Sequence, residues 1–363
     1  MGVVAANRAY EAWLKEQLDG DVVVRDLKLK RAKMGEDAFS FLRATYWLWA
    51  ETILDACPDL ATLPAVLAVG DTHLENFGTW TDREGRIVWG MNDYDECAAM
   101  PYLLDIVRLA ASAALAGVPR HMSLKAVCAT LLDGYREGLT KPLAFVLDRS
   151  HLWLRTRFVV DERQRAAFWK KIETQRDAAK RAARRPPAAS RALLEKALPG
   201  PGIALACWPH TAGTGSLGRP RWLGYGVWRS APVLRETKAL VPSGWVRVHG
   251  GPAKPRLNEL AQGRFRAPDP WYSAEGSLLV RRLSPNSRKI NVESRRDIAV
   301  LLQPELLRAM GRDLAAVHLG TGNHSDALRA DLDTREQRWF RAQVAAAMDM
   351  VHRQYEEWRK AAK

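Results

Sequence analysis

Two polar clusters, each ending an apolar run, constrain this chain more than any other feature. Gly70-Asp71-Thr72-His73-Leu74-Glu75-Asn76-Phe77 follows the run Leu63 to Val69, and Asn92-Asp93-Tyr94-Asp95-Glu96 follows Arg86-Ile87-Val88-Trp89-Gly90-Met91. Each run reads as strand-like, and each delivers carboxylates or amides on the loop at its end. A fold that brings the two ends together lets carboxylates and amides from both segments converge on one divalent cation. Hard cations such as magnesium are held by oxygens from a few side chains, completed by water or substrate phosphates.

The length of 363 residues is compatible with two domains or with one two-lobed unit. An apolar fraction of 47% is ample for a sizeable core. No apolar run approaches the ~20 residues of a membrane span. Met1-Gly2-Val3 lacks a secretory pattern, and Ala6 stands where a myristoylation signal has Ser or Thr. A soluble, cytoplasmic protein with no membrane partner is expected. Cys57, Cys97, Cys128 and Cys207 are widely spaced and read as free thiols rather than structural zinc ligands.

The net charge of +14 bears on association, not on fold. Basic residues concentrate in 163–196, notably Lys180-Arg181-Ala182-Ala183-Arg184-Arg185-Pro186-Pro187. A solvated basic helix ending at the proline pair accounts for them, and an anionic partner docked there is the alternative. No nucleic-acid recognition motif accompanies the charge.

Apolar spacing of threes and fours predicts helices over residues 7–20, 36–56, 124–139 and from 161 into the basic stretch. Tyr102 to Leu115 reads as a buried helix in which Asp105 needs partners, either backbone amides of the Asp71 loop or Arg108 one turn away. Residues 186–204, rich in Pro, Ala and Gly, read as a linker. Beyond it, Ile203 to Cys207, Trp222 to Trp228, Val233 to Leu240 and Ser277 to Leu283 read as strands of an antiparallel sheet. Leu257 to Gln262, Pro304 to Leu319 and 334–361 read as helices.

The first turn of that sheet contains Gly213-Thr214-Gly215-Ser216-Leu217-Gly218. This G-x-G-x-x-G is followed by Arg219-Pro220-Arg221-Trp222 and a strand, whereas a dinucleotide site needs a helix at that point. Strand, glycine loop, strand and then Lys238 on the next strand is the arrangement of a kinase nucleotide flap. Glu259 and Glu236 are both candidates to pair with Lys238; Glu236, two residues away on a strand, shares its face.

Gly70 to Asn76 with Asn92 to Asp95 and Leu104-Asp105-Ile106-Val107-Arg108-Leu109-Ala110 resembles the core of aminoglycoside and choline phosphotransferases. Phe41-Leu42-Arg43, Gly70 to Gly78, Asn92 to Glu96, the glycine loop and the Lys238 strand together resemble the bacterial family DUF2252, over roughly residues 30 to 325. The resemblance implies an α+β, two-lobed, protein-kinase-like fold with a small antiparallel nucleotide lobe and a larger helical lobe. The glycine loop and Lys238 follow the catalytic loop instead of preceding it, and Leu306 to His318 resembles the helix that ordinarily comes just before that loop. A circular permutation is therefore expected: 1–199 and 286–363 build the large lobe, and 200–285 the nucleotide lobe.

The same resemblance implies the roles. Asp71 would accept or orient the proton of an acceptor hydroxyl, and Asn76 and Asp93 would hold Mg2+ bridging the phosphates of ATP. Asp95 is a second metal ligand or a structural acceptor. Gly213, Thr214, Gly215, Ser216 and Gly218 would cover the phosphates, with Lys238 neutralising them and Glu259 its partner. His73 braces the loop; Arg43 reaches a phosphate or caps the loop. Val69 departs from the family pattern, which often has His before Gly-Asp. The expected activity is ATP- and Mg2+-dependent phosphoryl transfer to a hydroxyl of a small molecule or peptide. The alternatives are a nucleotide-binding pseudokinase or scaffold and a nucleotidyl-transferring relative of the same fold.

Overall fold

The structure, a computed structural model, describes residues 2–117, 122–180, 184–289 and 303–361. Of the basic stretch and of the expected C-terminal part of the large lobe, 181–183 and 290–302 lie outside these described residues. The chain is α+β. It begins with four helices, α1 (Val3–Gln17), α2 (Val24–Met34), α3 (Ala38–Ala44) and α4 (Tyr46–Ala56). The single helix expected over 36–56 is split at Thr45, whose φ of −124° leaves the helical region. Its hydroxyl bonds the Phe41 carbonyl at 2.6 Å, so the side chain competes with the helix ladder.

Three small antiparallel sheets follow. Strands β1 (Ala65–Ala68) and β4 (Ala98–Pro101) pair with each other. Strands β2 (Phe77–Thr81), β3 (Ile87–Met91) and β5 (Phe145–Val146) form a second sheet in that order. The two acidic clusters thus leave β1 and β3, as the apolar runs predict. Helices α5 (Leu103–Leu115), α6 (Leu124–Thr140), α7 (Leu152–Phe158) and α8 (Glu162–Lys180) come around and after them. α5 is buried along nearly its whole length, as its largely apolar composition requires, and it carries Asp105 and Arg108 into the core.

The stretch read as a linker instead contains α9 (Ala188–Lys196). Leu193 and Leu194 are buried, and Arg235 donates to the Ala197 carbonyl just after the helix at 2.6 Å. Two large apolar side chains, adjacent to each other in a nine-residue helix, are too few to register as a period. The third sheet then runs β6 (Ala206–Pro209), β7 (Arg221–Trp228), β8 (Ala231–Ala239), β10 (Leu278–Arg282) and β9 (Ser273–Glu275) in spatial order. β6 starts three residues later than expected, because Gly202 turns the chain at a φ of 74°. Between β8 and β9 lie α10 (Gly244–His249) and α11 (Leu257–Ala261).

Helices α12 (Pro304–Leu319), α13 (Ser325–Asp333) and α14 (Gln337–Ala361) complete the chain; α14 falls where the helix over 334–361 is expected, and α13 lies before it, where the sequence reading names none. Pro304 occupies the first turn of α12, where its missing N–H costs nothing. α12 packs backbone to backbone on α6: a Cβ at Gly134 or Gly311 would collide with the Arg308 or Leu131 carbonyl on the facing helix. This close approach sinks α12 into the main core, with Leu306, Leu307, Met310 and Leu314 fully buried.

Candidate functional site

The loop bearing Asp71 is fixed from beneath by one carboxylate. Asp105 of α5, fully buried, accepts from the backbone N–H of Val69 at 2.7 Å and of Gly70 at 2.8 Å. His318 of α12 reaches the same carboxylate through Nε2 at 3.0 Å, while its Nδ1 meets the Tyr135 hydroxyl at 2.8 Å. Since a carboxylate only accepts, Nε2 carries the proton. Gly70 has a φ of 84°, and its missing Cβ makes room for the Glu96 carbonyl and the Tyr46 hydroxyl.

Arg108, the other partner considered for Asp105, is directed elsewhere. Its Nη2 donates to Asp71 Oδ1 at 2.6 Å and to the Leu42 carbonyl at 2.8 Å. Burial raises the Asp71 carboxyl above its ordinary range, with Arg108 opposing. Asn76 donates to the Asp71 carbonyl at 2.6 Å, which closes the loop and leaves its Oδ1 as the amide's remaining acceptor. His73 accepts the Glu75 N–H through Nδ1 at 3.2 Å, and burial pulls it toward the neutral form. It braces the loop, as the sequence suggests. Arg43 pairs with Glu75 at 2.6 Å, a loop contact.

The second acidic cluster meets Lys238. This fully buried lysine of β8 forms ion pairs with Asp95 and, at 3.7 Å, with Asp93. Lys289 approaches Asp93 from the other side at 3.7 Å. Burial alone would raise Asp93, but Lys238 and Lys289 outweigh it and hold the carboxyl well below the usual range. Burial pulls Lys289 down to about 8. Arg219 bonds Glu96 at 2.6 Å and lies 3.7 Å from Asp95. β3 is held in place for this by Asp313 of α12, which accepts from Met91 N at 2.6 Å and pairs with Arg266 at 2.6 Å.

The glycine loop closes over the top. A Cβ at Gly215 would stand 3.2 Å from Asp71 Oδ2 and 3.1 Å from the Arg43 carbonyl, so a side chain here would have to push these neighbours back by a few tenths of an ångström. Asp71, Asn76, Asp93, Asp95 and residues Gly213 to Ser216 line one cavity of about 230 Å3. A neighbouring, mostly apolar cavity of about 220 Å3, with Trp80, Tyr94, Tyr272 and Leu283 in its walls, shares Lys289 with it.

Not every expected residue converges. Glu259 lies on the exposed face of α11, bonded to Arg256 at 2.6 Å, and is not the partner of Lys238. Glu236, the other candidate, is taken by Arg221 at 2.8 Å and Arg281 at 2.7 Å. Lys238 points instead across the cleft to the acidic loop. Gly218 lines no part of the cavity; it packs on Leu27 of α2. Lys289 and Arg219 escape sequence reasoning, because neither sits in a motif and both reach the site only by folding.

The residues suit a hard cation. Asp95 Oδ1, in this cavity, is buried and makes no hydrogen bond among the described residues, and Asp71, Asn76, Asp93 and Asp95 offer only oxygen ligands. No group of three His, Cys, Asp or Glu side chains among the described residues is gathered as a ready-made metal cage. The site is charge-balanced as it stands: Asp71, Glu75, Asp93, Asp95 and Glu96 are each paired with a cation. No helix among the described residues is long and apolar enough to cross a membrane.

The family model described as an uncharacterized protein conserved in bacteria, DUF2252, matches residues 23–198. The match supports the resemblance to that family. It contains Asp71, Asn76, Asp93, Asp95 and Arg108 and ends before the glycine loop and Lys238, short of the 30 to 325 over which the motifs extend. No curated protein and no solved structure matches the chain.

Proposed function

We propose that the protein is an ATP- and Mg2+-dependent phosphotransferase that passes the γ-phosphoryl group to a hydroxyl of a small molecule or peptide. The observation that carries this reading is the single cavity in which Asp71 Oδ2 faces Gly215 while Asp93 and Asp95 stand beside them. Phosphoryl transfer needs little covalent help from the protein, so positioning and charge stabilisation make up most of the catalysis. Asp71, oriented by Arg108, would accept the acceptor proton at Oδ2. Asn76, Asp93 and Asp95 would hold the metal, which supplies charge neutralisation of the phosphates. Lys238 would exchange its Asp95 and Asp93 partners for phosphate, and the loop from Gly213 would lie over it. The neighbouring apolar cavity, with its aromatic walls, fits a purine base.

On this reading the fold is a circularly permuted, two-lobed protein-kinase-like one. The sheet β6-β7-β8-β10-β9 with Lys238 on β8 would be the nucleotide lobe. α12 would be the returning helix, consistent with its hold on both loops through His318 and Asp313.

One observation favours a binding-only scaffold as the second reading: every carboxylate in the cavity already has a cation partner. Incubation with magnesium and γ-labelled ATP, alone and with cell extract, separates the two. Label released, or transferred to protein or a small molecule, and lost in Asp71→Asn and Asp93→Asn, is expected for the enzyme. Nucleotide-induced thermal stabilisation without turnover would establish the scaffold instead.

A further inference from the structure

Lys30 of α2 is buried, with 3% of its surface exposed. Its ammonium donates to the Gly215 carbonyl at 2.8 Å and stands 4.9 Å from the centre of the Tyr10 ring. No carboxylate pairs with it among the described residues. A buried ammonium without a counter-ion is costly, and here its one hydrogen bond goes to the glycine loop.

Three further contacts tie the same helix to that loop. Val23 N–H donates to the Gly218 carbonyl at 2.9 Å, Thr211 Oγ1 donates to Asp26 at 2.9 Å, and Leu27 packs where a Cβ of Gly218 would be. The buried residues of α2 are Asp26, Leu27, Lys30 and Met34, and the first three of them face the loop. α2 is therefore a brace that sets the height of the glycine loop above Asp71.

A trans peptide is planar, with its C=O and N–H pointing in opposite directions. If Lys30 holds the Gly215 carbonyl, the N–H of the same peptide, that of Ser216, points away from α2. That N–H makes no hydrogen bond among the described residues, and Gly215 and Ser216 both line the cavity containing Asp71. We infer that Lys30 is a positioning residue for a phosphate group: by holding the Gly215 carbonyl it turns the Ser216 N–H into the cavity as an anion donor. The ammonium also polarises that peptide, which strengthens its N–H as a donor. The inference rests on the phosphotransferase reading and adds to it a residue from an element that ordinary glycine loops do not use.

Calorimetric binding of ATP and of adenosine, both with magnesium, tests it in wild type, Lys30→Met and Lys30→Arg. Lys30→Met keeps the apolar stem and removes the donor; Lys30→Arg keeps a cationic donor. The expected result is roughly tenfold weaker ATP binding in Lys30→Met, from the loss of a charge-organised hydrogen bond. Adenosine binding should be unchanged, and Lys30→Arg should recover most of the loss. An equal ratio of ATP to adenosine affinity in wild type and Lys30→Met overturns the inference. Backbone hydrogen exchange over residues 213–218 reads the bracing without nucleotide, and Lys30→Met should accelerate it. Wild type that binds neither compound defeats the phosphotransferase reading, and unaltered exchange in Lys30→Met then defeats the bracing role separately.

Discussion

Fully buried Arg108 and half-buried Asp71 form an ion pair in which Nε and Nη2 of the arginine both reach Oδ1, at 3.2 and 2.6 Å. The second carboxylate oxygen is left facing Gly215. One oxygen is thus held by the arginine, and the other is turned toward the glycine loop.

Asp71→Asn is expected to abolish label transfer and also to lower stability by about 2 kcal/mol, since the wholly buried Arg108 loses its charged partner. Urea unfolding of Asp71→Asn, Arg108→Met and the double variant checks this. The double variant should regain stability without regaining activity; additive losses would contradict the coupling.

Asp105→Asn replaces a carboxylate that serves two backbone N–H groups and His318 with a group that offers one acceptor oxygen. A loss of roughly 3 kcal/mol is expected, because buried donors are left unsatisfied. Hydrogen exchange should quicken at Val69 and Gly70. Unchanged protection there would show that the loop is held by something else.

Glu236 gives the acid limb of stability a defined origin. Burial alone would raise its carboxyl, but Arg281 and Arg221 override this and bring it to about 2, against an ordinary 4.5. A depressed carboxyl stabilises the fold above the unfolded value, and this stabilisation fades as pH falls from 4.5 toward 2. Thermal midpoints of wild type should therefore drop steeply across that window. Glu236→Gln, less stable at neutral pH, should show a shallower drop, and parallel curves would count against the assignment.

Gly134→Ala places a methyl group against the Arg308 backbone carbonyl, where no flexible side chain can yield. Separation of α6 from α12 at a cost of roughly 1–3 kcal/mol is expected. Because α12 carries both His318 and Asp313, nucleotide binding should weaken along with stability. A variant with wild-type stability would mean that the two helices can slide apart freely.

Local pattern carried much of this protein. The apolar runs before Asp71 and Asn92 gave β1 and β3, the largely apolar stretch Tyr102 to Leu115 gave buried α5, and the glycine loop with Lys238 fell on the β6-β7 turn and β8. These succeed because strand and helix periods, and the need to place charge at the end of an apolar run, act within ten or fifteen residues. The partner amides of Asp105 were also legible, since a lone buried carboxylate beside a loop has few ways to be satisfied. Pairings across the chain were not. Glu259 was assigned to Lys238, yet Lys238 spans 143 residues to reach Asp95, Lys30 spans 185 to reach Gly215, and Arg108 goes to Asp71 instead of its helix neighbour. Such contacts depend on where whole elements come to rest, which is set by the packing of α12 on α6 and of α2 on the glycine loop. Sequence alone determined where the two acidic clusters, the glycine loop and Lys238 lie along the chain. Tertiary structure decided which of them meet, because an ion pair across a cleft is specified by the summed geometry of every element between its partners.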